Sequence, residues 1–184
     1  MTTPSLSILS KIWGHFKTIC VHKFWVLYYC CQAGIIWRGI KHDLSKFSPV
    51  EFWESVKYYT GTCSPIVLCK ADKGVSKAWL HHKGRNTHHY EYWQDNFDSD
   101  IPSHIRMPED DFKEMICDYM AAGRAYMKDR FTYEAEYEWW QNKKRTIKAM
   151  NEYTLRRTDM ALGLAVKYKN LKFLKNWNRY GELC

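Results

Sequence analysis

Between Ser5 and Gly39 the apolar residues recur at spacings of three and four, the period of an α-helix, and the chain holds no convincing strand pattern. Leu9, Trp13, Phe16, Cys20, Phe24, Leu27 and Cys31 form one stripe, and Ile19, His22, Val26 and Tyr29 form its neighbour. The second stripe sets an imidazole on an apolar, inward face, an unusual place for one. The segment is long enough to bend near Gly34. Beyond it, Ser48, Pro49 and Glu51 stand at the N-cap, first and third positions of a helix expected to reach about Tyr59. Gly61, Pro65 and Gly74 read as a loop, and a short helix follows from about Val75. After an irregular stretch from Asp95 to His104, Pro108 opens a helix from Glu109 to about Met127. Helices from Tyr133 to about Ala149 and Asn151 to about Tyr168 come next, with a basic final helix from about Leu171. The expectation is an all-α, single-domain helical bundle over residues 1–184, with six or seven helices.

At 184 residues and 22.1 kDa the chain is long enough for a sizeable core, and 46% apolar with 26% charged residues excludes a disordered or collagen-like chain. The net charge of +8 is not evenly spread. From Gln141 to Cys184 there are eleven Lys and Arg against three acids, so the first 140 residues are neutral. That basic segment is suited to phosphate, nucleic acid or an anionic surface, or to a solvated helix face. Phe24 to Trp37, the longest nearly uncharged run, falls short of the ~20 residues that span a bilayer and reads as a buried core helix. Seven cysteines in odd number, with no C-x-x-C pair, argue against a disulfide framework and for a reducing, cytoplasmic setting.

The residues that carry chemistry come in a particular order: His22, the dipeptide His42-Asp43, the cluster His82, His88 and His89, then Asp118. Four His in the nine residues from His81 to His89 is a dense set for a chain with eight. Imidazoles and carboxylates suit Mn, Fe, Zn, Ni or Co, and a carboxylate beside a His can bridge two ions. Glu114 and Asp118 lie one turn apart on one helix face. Taken singly, His22 reads as a satisfied core histidine and Asp43 as a cap; it is the ordered set that points to metal. His81 and His82 lie about 100° apart on a helix, so one of them faces any shared cleft. His15 and His104 read as surface or packing residues. The pairs Phe52-Trp53, Tyr58-Tyr59 and Trp139-Trp140 read as core.

The same order resembles the HD-type metal-dependent phosphohydrolases, all-α enzymes with a His, an HD dipeptide, two further His in binuclear members and a late Asp. A closer resemblance is to an uncharacterised bacterial and viral family of unknown function. It rests on His22-Lys23, the HDLSKFS block His42 to Ser48, the block Ala78 to Trp93 and the block Met107 to Asp118, which together span residues 22–118. Position 90 is Tyr where similar sequences carry Pro.

The HD resemblance implies that His22, His42, Asp43 and Asp118 hold one ion and that Asp43 bridges to a second. His82 and either His88 or His89 would hold that second ion, with His82 chosen over His81 on the family pattern. It implies a phosphate mono- or diester substrate, a nucleotide first among them. Asp43, Lys46 and Glu114 are the catalytic candidates, with Lys46 a phosphate clamp and Glu114 a partner to a bound His. Lys46, Arg85 and Asn86 are the substrate-binding candidates. The rival readings are a non-catalytic module whose ion is structural and whose basic segment, residues 141–184, binds nucleic acid or an acidic partner, and a di-iron oxygenase on a similar scaffold.

Overall fold

The computed structural model describes residues 6–95 and 103–181, and among these the chain is an all-α bundle. Nine α-helices are described: α1 (Ile8–Ala33), α2 (Ile36–Lys41), α3 (Pro49–Lys57), α4 (Pro65–Lys73), α5 (Lys77–Lys83), α6 (Glu109–Met127), α7 (Tyr133–Lys144), α8 (Glu152–Tyr168) and α9 (Asn178–Gly181). Four 3-10 turns join them, of which Leu44–Phe47 and Tyr90–Trp93 matter below. A two-residue antiparallel ladder, β1 (Gln94–Asp95) with β2 (Ser103–His104), closes part of the stretch read as an irregular loop. Residues 96–102 of that stretch lie outside the described residues.

Most boundaries follow from local chemistry. Ser7, Ser48, Ser76, Thr132 and Asn151 each accept a backbone N–H from the first turn of their helix. Gly34 adopts a left-handed φ of 80° and ends α1, so the expected bend is a break between two helices. The expected loop around Pro65 instead contains α4. Pro65 is its first residue and Gly74, at φ 75°, its C-terminal cap, so both expected breakers are helix ends. The expected final helix is a 3-10 turn, Lys172–Asn176, followed by the one-turn α9.

The core joins Val26, Tyr29, Cys30 and Ala33 of α1 to Phe112, Met115, Ile116 and Met120 of α6, Trp140 of α7, and Ala161, Leu162 and Ala165 of α8, with Leu171, Leu174 and Trp177. Of the two stripes on α1, the one through Ile19, His22, Val26 and Tyr29 is buried. The stripe through Leu9, Trp13, Phe16, Cys20, Phe24 and Cys31 faces solvent, so Phe24 to Trp37 is buried on one side only. A helix apolar all round gives no periodicity that says which face packs. Trp140 is core, whereas Trp53 and Trp139 are exposed.

No helix among the described residues is long and apolar enough to cross a membrane. Six cysteines are free thiols, and Cys184 lies outside the described residues.

Candidate metal centre

The half of the bundle formed by α1, α3, α5 and α6 gathers buried polar residues instead of apolar ones. His22, His42, Asp43, His82, His88, Glu51, Glu114 and Asp118 are all nearly inaccessible. α1 supplies His22 from its buried stripe and α6 supplies Glu114 and Asp118. The connection after α2 supplies His42 and Asp43, and α5 with the segment after it supplies His82, His88 and His89. Asp43 sits at φ 53°, a left-handed conformation that Asp tolerates better than most residues. This kink brings its carboxylate to the centre of the cluster.

Two groups of four ligand atoms share that carboxylate, each group's atoms lying within 4.8 Å of one another. In the first, His22 Nε2 lies 3.0 Å from Asp118 Oδ1 and 3.8 Å from Asp43 Oδ2. His42 Nε2 lies 3.1 Å from Asp43 Oδ2 and 3.4 Å from Asp118 Oδ1. In the second, His82 Nε2 and His88 Nε2 each lie 3.4 Å from Asp43 Oδ1, and His89 Nε2 lies 2.8 Å from His82 Nε2. Both His88 and His89 therefore join the cluster, where the sequence left a choice between them. Tyr90, in place of the Pro of similar sequences, takes neither away. A third group, His42, His88 and Glu114, surrounds Glu114.

The outer nitrogens of these imidazoles explain why the inner ones suit a cation. His42 Nδ1 donates to Glu114 Oε1 at 2.8 Å, and His88 Nδ1 lies 3.3 Å from the same oxygen. His82 Nδ1 donates to Glu51 Oε2 at 2.8 Å. A neutral imidazole that donates through Nδ1 presents a bare lone pair at Nε2. The centre is thus lined by acceptors that face one another. Neither oxygen of Asp43, nor His88 Nε2, has a hydrogen-bond partner. Lys46 Nζ comes within 2.6 Å of Asp43 Oδ2, although not in hydrogen-bonding alignment. Unpartnered buried carboxylate oxygens and an imidazole nitrogen converging on one point are the donor set a divalent ion satisfies, and the residues present fit one or two such ions.

Without a metal, charge inside the cluster is redistributed. Burial opposes charge on His42, but the carboxylates of Asp43, Asp118 and Glu114 outweigh it and hold its imidazole well above the ordinary range. Burial, reinforced by Lys46, pushes His22 down to about 4. Burial and the neighbouring His88 and His82 hold His89 well below its usual value. The carboxyls of Asp43, Asp118 and Glu114 are held low by these histidines despite their burial.

Around the ligands runs a ring of supports, several of which sequence reasoning missed. Glu51 is the principal one. Read as a capping residue, it carries His82 on one oxygen and His81 Nδ1 on the other at 2.6 Å. Ser48 does cap the Glu51 N–H, so the capping signal is genuine and conceals the second role. Arg38 Nε donates to Glu114 Oε2 at 2.7 Å and its terminal nitrogen pairs with Asp111, which also accepts from Thr87. Glu114 therefore touches the imidazoles of His42 and His88 with one oxygen and Arg38 with the other. Asn86, a substrate-binding candidate, lines the cavity that reaches His42 and His88 and donates to Ser45 Oγ at 2.9 Å and to the His82 carbonyl at 2.8 Å. Its amide fixes the chain around His82. Arg85 is exposed.

The cluster lies between two cavities. One, of about 210 Å³, reaches His22, His82, His89, Asp118 and Lys46 and is walled by Ile19, Ile66, Trp79 and Tyr126. His15, expected at the surface or in packing, is buried against the rings of Phe52 and Tyr59 and lines this cavity, with its Nδ1 unpartnered. The other, of about 280 Å³, reaches His42, Asp43 and His88 between Arg38, Lys41 and Arg85. His104 holds the ladder, its carbonyl accepting from Asn151 at 2.7 Å.

In the basic segment, Lys143, Arg145 and Lys148 are exposed, whereas Lys144 pairs with Asp159 at 2.8 Å. Arg157 is buried over the Phe112 ring, 4.2 Å from its centroid, so it is not part of a basic surface.

The model of a family described as "Family of unknown function (DUF5662)" matches residues 11–160. No curated protein and no solved structure matches the chain.

Proposed function

The chain belongs to this family of unknown function, and from that premise and the geometry of the buried cluster we propose that it is a metal-dependent phosphohydrolase of the HD type. The observation that carries the reading is one buried carboxylate, Asp43, shared by two four-ligand groups. His22, His42, Asp43 and Asp118 would hold one ion, and Asp43, His82, His88 and His89 the other. Mn, Fe, Zn, Ni and Co suit such nitrogen and oxygen donors. Bound there, a divalent ion pair would lower the pKa of a water and polarise a phosphoryl oxygen.

The chain's own residues supply the rest. Lys46, beside Asp43 on the wall of the 210 Å³ cavity, is placed to neutralise a phosphate that enters it. Glu114 and Glu51 keep the imidazoles of His42, His88 and His82 in one tautomer. Ile19, Ile66 and Trp79 give the cavity an apolar wall that suits the organic part of a phosphate mono- or diester, with a nucleotide the substrate class favoured here. The other cavity, rimmed by Arg38, Lys41 and Arg85, offers cationic side chains for an anion.

One observation favours a second reading. Four protein donors complete a tetrahedral ion and leave it no open position, as in a structural site. The reading then becomes a helical module whose exposed basic residues, Lys143, Arg145 and Lys148, serve a nucleic acid or acidic partner.

Elemental analysis of protein purified without chelator or affinity nickel, beside the His42→Ala/Asp43→Ala double variant, tests the first step. About two equivalents of a transition metal, lost in the variant, together with hydrolysis of at least one phosphoester by the loaded protein, are the expected results. Bound metal with no turnover across mono- and diesters favours the structural reading. Failure to retain or take up metal overturns both.

A further inference from the structure

The face of α1 opposite the metal cluster is apolar and exposed, and no other element among the described residues covers it. Leu9, Trp13 and Phe24 are 75%, 68% and 61% exposed, and Phe16 and Cys20 lie on the same stripe. The patch continues through ring contacts. Trp13 stacks on Phe16 at 5.9 Å, and Phe16 meets Phe47 edge-on at 6.1 Å. Leu44, Val50 and Trp53, all exposed, extend it over the 3-10 turn and α3. An apolar surface of this extent on a soluble chain marks an interaction site.

Charge indicates what meets it. Residues 1–42 contain no Asp or Glu. The acids that follow on the adjoining elements are turned away: Asp43 and Glu51 are buried in the metal cluster, and Glu54 accepts from Ser76 Oγ and the Ala78 N–H at the start of α5. Lys17 and Lys57 on the same elements are exposed. Among the described residues of α1, the 3-10 turn and α3, the surface therefore combines aromatic and aliphatic side chains with cations and offers no free carboxylate. A second copy of the chain in two-fold contact would bring the same carboxylate-poor surface against itself and leave these lysines with nothing to neutralise them. An anionic bilayer satisfies both halves: the rings and aliphatic chains enter the headgroup boundary while the ammonium groups meet lipid phosphates and carboxylates.

We infer that the exposed face of α1, with Leu44, Phe47, Val50 and Trp53, is a docking surface for an anionic lipid bilayer. α1 stays packed on α6 through its buried stripe and lies in the interface plane without crossing it. The turn that directs Asp43 and Lys46 into the metal cluster directs Leu44 and Phe47 outward, so the docking face and the cluster share one short segment. This inference is independent of the proposed reaction.

Flotation of the full chain with vesicles of phosphatidylcholine alone, and of phosphatidylcholine mixed with phosphatidylserine, tests it. The expected result is binding to the mixed vesicles only, weakening as salt is raised. Leu9→Ser/Trp13→Ser/Phe24→Ser, whose sites are all exposed, should keep the helical circular-dichroism signal and lose binding by about a hundredfold or more. Lys17→Glu should weaken binding by about tenfold. Replacing Lys143, Arg145 and Lys148 with Ala should leave it unchanged. No binding to mixed vesicles at low salt overturns the inference, as does binding that survives the triple serine variant. A wild-type dimer in solution that the same triple variant dissociates, without vesicle binding, assigns the face to a second copy and overturns it too.

Discussion

Three buried glutamates show how environment divides one residue type into different roles. Glu51 and Glu114 each face two imidazoles, and those partners outweigh burial and hold both carboxyls low, Glu114 at about 2. Glu136 of α7 is as deeply buried, and burial, reinforced by the charge on Asp118, pushes it up to about 8. Its folded-state pKa lies above the unfolded value, so the native state binds the extra proton between the two. Stability is therefore greatest below the unfolded pKa and declines as pH rises from about 4.5 to about 8. Glu136→Gln keeps the shape and removes the titration. The variant should melt close to wild type at about pH 5 and well above it past about pH 8, by up to the order of 4 kcal/mol. Melting curves at the two pH values check this, and a constant difference between the proteins would refute it.

At the scale of elements, the site depends on how closely α2 lies against α1. A Cβ at Gly39 would fall 2.7 Å from Cys30 Cβ and 3.1 Å from the Leu27 Cα, and the latter is backbone that cannot rotate away. α2 carries Arg38, the brace of Glu114, and runs directly into His42 and Asp43. Gly39→Ala gains about 1 kcal/mol of helix propensity, yet the clash should cost about 1–3 kcal/mol and displace α2. Titration with Mn²⁺ or Zn²⁺ should show metal affinity reduced as well as a lower melting temperature. A variant that melts lower but binds metal as tightly as wild type would separate α2 packing from the site. Some elements were legible in the sequence and others were not, for reasons seen in individual residues. α6 was read with both ends correct, because Pro108 and the acids Glu109, Asp110 and Asp111 mark a helix start unmistakably. α4 is hidden in the sequence because Pro65 and Gly74 read as loop residues, although they occupy the first and capping positions of a helix. The stripe of α1 that carries His22 reads as inward and is the buried one, whereas the exposure of the other, equally apolar stripe is not legible because it depends on what packs against α1.

At the scale of the whole molecule, the residues that assemble into the buried cluster were legible because histidines and acids on otherwise apolar faces are rare, whereas Glu51 stayed hidden behind a capping pattern it also fulfils. The assembled cluster has a thermodynamic consequence for the whole fold. Carboxylates and imidazoles brought together from α1, α5, α6 and the turn after α2 leave buried lone pairs of Asp43 and His88 unpartnered, which a bound cation would satisfy. The unfolded chain has no such arrangement, so metal affinity adds to folding stability. At metal about a thousandfold above its dissociation constant, linkage contributes about 4 kcal/mol. For a chain of this length that raises the melting temperature by roughly 10 °C. Asp43→Asn isolates the shared carboxylate, because Asn also tolerates the left-handed backbone at this position and removes one negative charge from between the two groups. The metal-free variant should melt lower than metal-free wild type, because His42 and Lys46 hold the Asp43 carboxylate ionised and lose that partner in the amide, while the rise on adding Mn²⁺ or Zn²⁺ should be lost or reduced to a few degrees. Calorimetry of both proteins with and without metal distinguishes the cases. A full metal-dependent rise in the variant would mean that the two groups do not depend on Asp43, and the two-ion reading would lose the residue on which it rests.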